Sequence, residues 1–420
     1  MQLATTKVNR PLHEGNSIPF AVYTDIVWLV IPVFVVLVFS FNFHTLWLIY
    51  DLIALLLIVY FLGSRRSRIS ARQYGVFIVA LGYFTFIVVR EGHLLMGFLS
   101  IWDTFKHLVY VALFIGFMKF HTQQRIEGFS RYLHKICFIF FSIQIVAVIV
   151  QYATGVFYDD IAGTFGDGGS HAIAYISILF LVGLILHKSS SIVVVGAVVI
   201  TLALNILSEN SGYVLLMLAA FLGLILVHFS VRDLFKGRNF IFAAMTLIVL
   251  YWLSMMTMYS EHSLGEIVIA RFIDIFGADA DLDTQSVGRG VSLLLASDLG
   301  GWFGRGPGAY SIIYQSQGYD FETVYGLQIA ISELTHLVSE SGFVGYVLTV
   351  LVYITFISGL FNGGSYKFVG MTLFVVCTAY SKVLMNESQF FLFLLLMFYF
   401  AVLERKSSFY QTQKLKKISA

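Results

Sequence analysis

Two arginines and a titratable cluster stand close together in the last third of this 420-residue chain. Arg289 and Arg305 bracket a helical-looking run that ends in Gly304-Arg305-Gly306-Pro307-Gly308; Glu333, His336 and Glu340 follow at the start of an apolar stretch. Arginine grips phosphate bidentately and stays charged at any working pH. Spaced i, i+3, i+7, the three titratable residues share one helix face. An ionisable cluster that opens an apolar helix is a functional hypothesis by default. His336 could act as a general base on a hydroxyl near neutral pH, or donate a hydrogen bond to a phosphate. The bland alternative is a histidine satisfied by Glu333 or Glu340. For the arginines it is pairing with Asp279, Asp281, Asp283 or Asp298. Arg271, among apolar neighbours, suits an interfacial anchor.

The glycine run formally fits a dinucleotide fingerprint, Gly304-Arg305-Gly306-Pro307-Gly308-Ala309. No βαβ context surrounds it, so that meaning fails. A tight turn whose backbone approaches an anion or another helix is the better reading. Glu209, in Ser208-Glu209-Asn210-Ser211, and Glu387, in Asn386-Glu387-Ser388, offer further carboxylates on short polar turns. Arg90, Asp103, Lys106 and His107 flank a loop at 91–103, where Asp103 and Lys106 suit a plain i,i+3 pair. The glycine-rich stretch 157–171 reads as a hinge, or as a capped helix start with free N–H groups. No metal-ligand or nucleophile motif occurs; no metal and no cofactor is expected, with Asp279, Asp281 and Asp283 a weak cation site at most.

The elements that must position these residues are membrane helices. The chain is 58% hydrophobic and 12% charged, with mean hydropathy +0.84, which excludes a soluble globular protein. Continuous apolar runs, each able to cross about 30 Å of hydrocarbon, lie near 22–42, 44–63, 74–90, 104–120, 136–154, 171–187, 191–207, 212–229, 240–258, 334–360, 367–384 and 388–404. This predicts an all-α polytopic membrane protein of about twelve transmembrane helices, one integral domain over 1–420, with a large outer loop at 259–333 before the last three helices. Within that loop, 266–276 reads as a surface amphipathic segment and 287–298 as a helix ending at Gly300-Gly301. Alternation is absent, so a β-barrel is rejected.

Of the 26 Lys and Arg residues, Arg90, Lys106, Arg271, Arg289, Arg305 and Lys382 fall on one side and the other 20 on the opposite side. The positive-inside rule then makes both termini cytoplasmic and 259–333 external. The first span lacks the pattern of a cleavable signal. Cys137 and Cys377 lie within spans, which disfavours a disulfide. The basic tail around Lys414, Lys416 and Lys417 suits anionic lipid heads, not nucleic acid.

With these residues in view, the chain resembles the O-antigen polymerase and O-antigen ligase superfamily of bacterial membrane glycosyltransferases. Gly288-Arg289 followed by Gly304-Arg305-Gly306-Pro307-Gly308 is similar to the family's arginine, aliphatic helix and glycine turn. His336 to Gly345 resembles its histidine, glutamate and glycine at the helix after the large outer loop. Gly163-Thr164-Phe165-Gly166 leads into a similar helix. The chain departs from the pattern at Gly168-Gly169-Ser170, at Asn210-Ser211-Gly212, where the family often carries an arginine, and at Leu337. Those departures move the substrate grip onto Arg289, Arg305 and Arg90.

The resemblance implies a bacterial inner-membrane enzyme that polymerises glycan repeat units carried on undecaprenyl pyrophosphate, at the outer face and without a metal. Its partners would be lipid-linked donor and acceptor, membrane lipids and a chain-length regulator. It implies catalysis by His336, Arg289 and Glu333, a pyrophosphate held by Arg289, Arg305 and Arg90, and support from Glu340, Gly304, Gly306 and Glu209. The alternative within the family is a ligase that moves finished glycan onto a lipid A–core acceptor; a polytopic transporter is the alternative outside it.

Overall fold

The computed structural model describes residues 47–63, 70–156, 161–165, 170–187, 189–208, 216–217, 220, 289–309 and 332–419. No strand occurs among them, and the helices are α1 (Trp47–Gly63), α2 (Ala71–Glu91), α3 (Leu94–Phe105), α4 (Leu108–Phe120), α5 (Gln123–Ala153), α6 (Ser170–Leu186), α7 (Ser191–Leu207), α8 (Arg289–Gly300), α9 (Glu333–Ile357), α10 (Gly364–Tyr380) and α11 (Glu387–Ser419). Among the described residues, five stretches are long and apolar enough to cross a membrane: Ala71–Glu91, Leu94–Lys119, Gln123–Ala153, Glu333–Leu360 and Glu387–Ser407. Shorter apolar helices accompany them at Ile49–Val59, His171–Leu186, Val193–Asn205 and Tyr366–Tyr380. The spans expected near 22–42 and 240–258, most of 212–229, and most of the loop 259–333, lie outside the described residues.

Burial separates inner from outer helices. Glu387–Ser407 is mostly buried, whereas most of Ala71–Glu91 and of Gln123–Ala153 is not. Val79, Phe86, Val146 and Ile149 point outward, as apolar side chains do where lipid takes the place of water. Helix α6 is the central strut: Ala172, Ile173, Ala174, Tyr175 and Ile176 have no exposed surface. The described part of the stretch ahead of it is tied to α5. Gln144 and Gln151 of α5 each make a reciprocal pair of amide hydrogen bonds, to Thr164 and to the Gly163 backbone, at 2.7–2.9 Å.

One expectation fails at 91–103. That segment is not a loop, because α3 occupies Leu94–Phe105. It runs antiparallel to α2, with Gly97 against Val88 and Phe105 edge-on to Phe84 and Phe77 at 5.3 and 5.6 Å. Lys106 and His107 interrupt the helix, and α4 continues to Phe120. The polar pair therefore lies about 18 Å along the axis from Leu94, within a broken span and not at its end.

Helix α9 is broken too. Gly342 has φ 70° and ψ 178° inside it. In an unbroken α-helix the N–H groups of Phe343 and Val344 would bond to the carbonyls of Ser339 and Glu340. Here those N–H groups donate instead to the carbonyls of Gly301 and Trp302, at 3.1 and 3.2 Å, and the two carbonyls accept from Arg305 and Gly306, at 3.1 and 2.9 Å. The turn after α8 is spliced into the gap in the α9 ladder. All four backbone groups are satisfied, as a buried break requires.

Candidate functional site

The glycines explain how the splice is built. Gly304 and Gly306 have φ of 75° and 91°, a region open to glycine at no steric cost. A Cβ on Gly304 would run into the backbone of Glu340 and Ser341, and one on Gly342 into the backbone of Trp302 and Gly304. Of the two meanings the sequence left open, approach to another helix is the one seen for Gly304. The turn also meets an anion, but that anion belongs to the chain: the Gly308 N–H donates to the Glu340 carboxylate at 2.6 Å.

Glu340 is the centre of this arrangement. One carboxylate oxygen accepts from Gly308 and lies 3.5 Å from His336 Nε2; the other accepts from the Ser100 hydroxyl on α3 at 3.0 Å. His336 Nδ1 faces the Glu333 carboxylate at 3.8 Å. The three side chains are 8%, 12% and 3% exposed for Glu340, His336 and Glu333, so the imidazole sits between two buried acidic groups. Glu333 is otherwise engaged: its second oxygen accepts the backbone N–H groups of Leu384 and Met385 at 3.1 and 3.0 Å, and its own N–H donates to the Ser381 carbonyl. Glu333 thus ties the start of α9 to the turn between α10 and α11. Ser332 caps the helix through Thr335 N–H.

The arginines divide. Arg90 donates to Glu91 and, at 2.6 Å, to the Gly304 carbonyl, so it neutralises a neighbour and buttresses the turn. Arg305 donates from Nε to the Leu299 carbonyl at 2.8 Å, satisfying an orphan acceptor in the last turn of α8. Arg289 is the first residue of α8. The twelve residues of that helix put Arg289 about 16 Å along the axis from Gly300, and so at the opposite end from Arg305. Glu209, Arg271, Asp279, Asp281 and Asp283 lie outside the described residues; among those described, no group of three or more His, Cys, Asp or Glu could hold a metal.

Two features escaped the sequence. Ser100 belongs to the site because α3 is a helix. Lys106 is no surface partner of Asp103 alone. It is 6% exposed and lies 2.6 Å from Glu387, 3.0 Å from Asp103 and 3.3 Å from Asp51. Beside it, the His107 ring bonds the Tyr50 hydroxyl at 2.6 Å and the Leu384 carbonyl at 2.8 Å, stacked on Phe390. A carbonyl only accepts, so Nε2 carries the proton and Nδ1 takes the tyrosine's. A Lys-His pair within an otherwise apolar run was the available signal.

No protein-family model matches the chain, and no curated protein matches it.

Proposed function

We propose that the protein is a membrane glycosyltransferase that polymerises glycan repeat units carried on a polyprenyl diphosphate, at the outer face of a bacterial cytoplasmic membrane. The observation that carries this reading is the buried Glu333–His336–Glu340 cluster, locked to a glycine turn at a helix break, with an arginine opening the adjoining helix. In the reaction, an acceptor hydroxyl oxygen attacks the anomeric carbon of the donor sugar. The bond from that carbon to the phosphate oxygen breaks, and the polyprenyl diphosphate leaves with its electron pair. Arg289 stabilises the charge that grows on the diphosphate. The Glu333–His336–Glu340 cluster takes up the hydroxyl proton, with the two carboxylates flanking the ring. Apolar faces between helices take the polyprenyl tails. The remaining expected spans, about twelve in all, and cytoplasmic termini belong to the same reading.

In a deletion strain, lipid-linked single repeats at the outer face and no long chains are expected, and the Arg289→Ala variant should reproduce that pattern at wild-type expression. Polymer stranded on the polyprenyl carrier marks a ligase instead. Unchanged glycan in both strains sinks the proposal. A transporter is the second reading, favoured by Lys106 and its three carboxylates at a break within a span, since ionisable groups at interrupted helices suit ion-coupled sites. Single repeats retained at the inner face would establish it.

A further inference from the structure

The turn between α10 and α11, residues 381–386, holds one end of the candidate cluster, and it is itself held by the break between α3 and α4. From the cluster outward, Glu333 binds the N–H groups of Leu384 and Met385. The Leu384 carbonyl binds His107. The residue that follows the turn, Glu387, pairs with Lys106 at 2.6 Å, and both are nearly covered, at 10% and 6% exposed. Three further contacts fix Lys106: Asp103, Asp51 and the face of Tyr50, 5.8 Å from the ammonium. A buried cation needs partners, but a stabilising pair could have been placed anywhere. This one sits next in sequence to the histidine that grips the turn, and the turn is where Glu333 is bound.

We infer that Lys106 is a positioning residue for the glycosyl-transfer site: the Lys106–Glu387 pair and His107 clamp the 381–386 turn, and the turn's N–H groups hold Glu333 where it faces His336. The inference rests on the proposed glycosyl transfer. Lys106 touches no substrate. It acts through backbone, so its loss displaces Glu333 relative to His336 without altering either side chain.

The test is turnover of lipid-linked repeats by purified full-length protein in detergent, comparing Lys106→Met, Glu387→Gln, Lys106→Arg and the swap Lys106→Glu with Glu387→Lys. Misplacement of a catalytic group by about 1 Å costs about 100-fold. Lys106→Met and Glu387→Gln should each lower kcat on that scale per folded molecule and leave the donor KM within about twofold, a split expected when only the transition state loses contacts. Lys106→Arg and the swap should recover at least a tenth of the wild-type kcat, since each restores a cation–carboxylate pair. Wild-type kcat per folded molecule in Lys106→Met overturns the inference, as does a raised KM with unchanged kcat. If Lys106→Met and Glu387→Gln only reduce the folded fraction, and the surviving molecules turn over normally, Lys106 is a stability residue and the inference also falls. No glycosyl transfer by the wild-type protein, under conditions where Arg289→Ala behaves identically, instead removes the proposed function.

Discussion

At the scale of single residues, the two acids beside His336 separate by what else they hold. Glu340 accepts from Gly308 and Ser100 through its two oxygens and also faces the imidazole. Glu340→Ala removes the charged acceptor of the Gly308 N–H and of the Ser100 hydroxyl, and a hydrogen bond to a charged group contributes roughly 1.5–3 kcal/mol. A lowered Tm in detergent, together with lost polymer, is the expected result; an unchanged Tm would mean the turn does not depend on this carboxylate. Glu340→Gln keeps an acceptor but removes the charge, so polymer should fall with little loss of stability. The arginines give a sharper contrast. Arg305 makes one hydrogen bond to the last turn of α8, worth about 0.3–1 kcal/mol as a helix-end contact. Arg305→Ala should retain most of the polymer, whereas Arg289→Ala and Arg289→Lys should not, because a single ammonium cannot reproduce a fork. Equal loss on glycan ladders for Arg289→Ala and Arg305→Ala would contradict this division of labour.

Elements explain why those residues meet. The turn at 301–306 and the break at Gly342 complete each other's hydrogen bonding, so neither is stable alone in an apolar surround. Gly342→Ala and Gly304→Ala each force a side chain onto another strand of backbone at positive φ; strain in that region costs of order 1–3 kcal/mol per residue. Either variant should undock the turn and open Arg305 to trypsin. Because the two substitutions break one joint, the double variant should cost less than the sum of the singles. Full additivity, read from unfolding midpoints, would show two independent contacts. At the other break, the three carboxylates that answer Lys106 keep its charge within the bundle.

Among the described long apolar spans of the molecule, Glu387–Ser407 is the most buried and Ala71–Glu91 and Gln123–Ala153 the most exposed. Its cysteines, Cys137 and Cys377, are buried, which leaves a quiet background for thiol labelling. Trp302 is 70% exposed at the tip of the spliced turn, and Asn362 is exposed in the link between α9 and α10. If the proposed topology with 259–333 outside holds, an impermeant maleimide should label Trp302→Cys in intact cells and Asn362→Cys only after permeabilisation. The reverse pattern would invert the topology and with it the face on which chemistry occurs.

The all-helical, membrane-type character was legible in the chain because apolar runs are local: α1, α6, α7, α9 and α10 begin within a few residues of their expected limits. The helix across 289–300 and the shared face of Glu333, His336 and Glu340 were legible for the same reason, since a 3.6-residue period needs no tertiary information. Helix α3 was not, because Gly97, Ser100, Asp103 and the Lys106-His107 pair dilute its apolar signal, and only burial against α2 and α9 makes it a helix in place. What the glycine run does was equally hidden. Its residues announce a tight turn; which carbonyls and N–H groups the turn meets is decided by where Gly342 breaks α9, 38 residues after Gly304. The sequence by itself determined the helices and the chemistry each can carry. Tertiary structure alone decided which polar groups neutralise one another, turning Arg90 and Arg305 into braces, Glu333 into a tether and Lys106 into a buried hub, because in an apolar interior every charge and backbone dipole must find its partner across the fold.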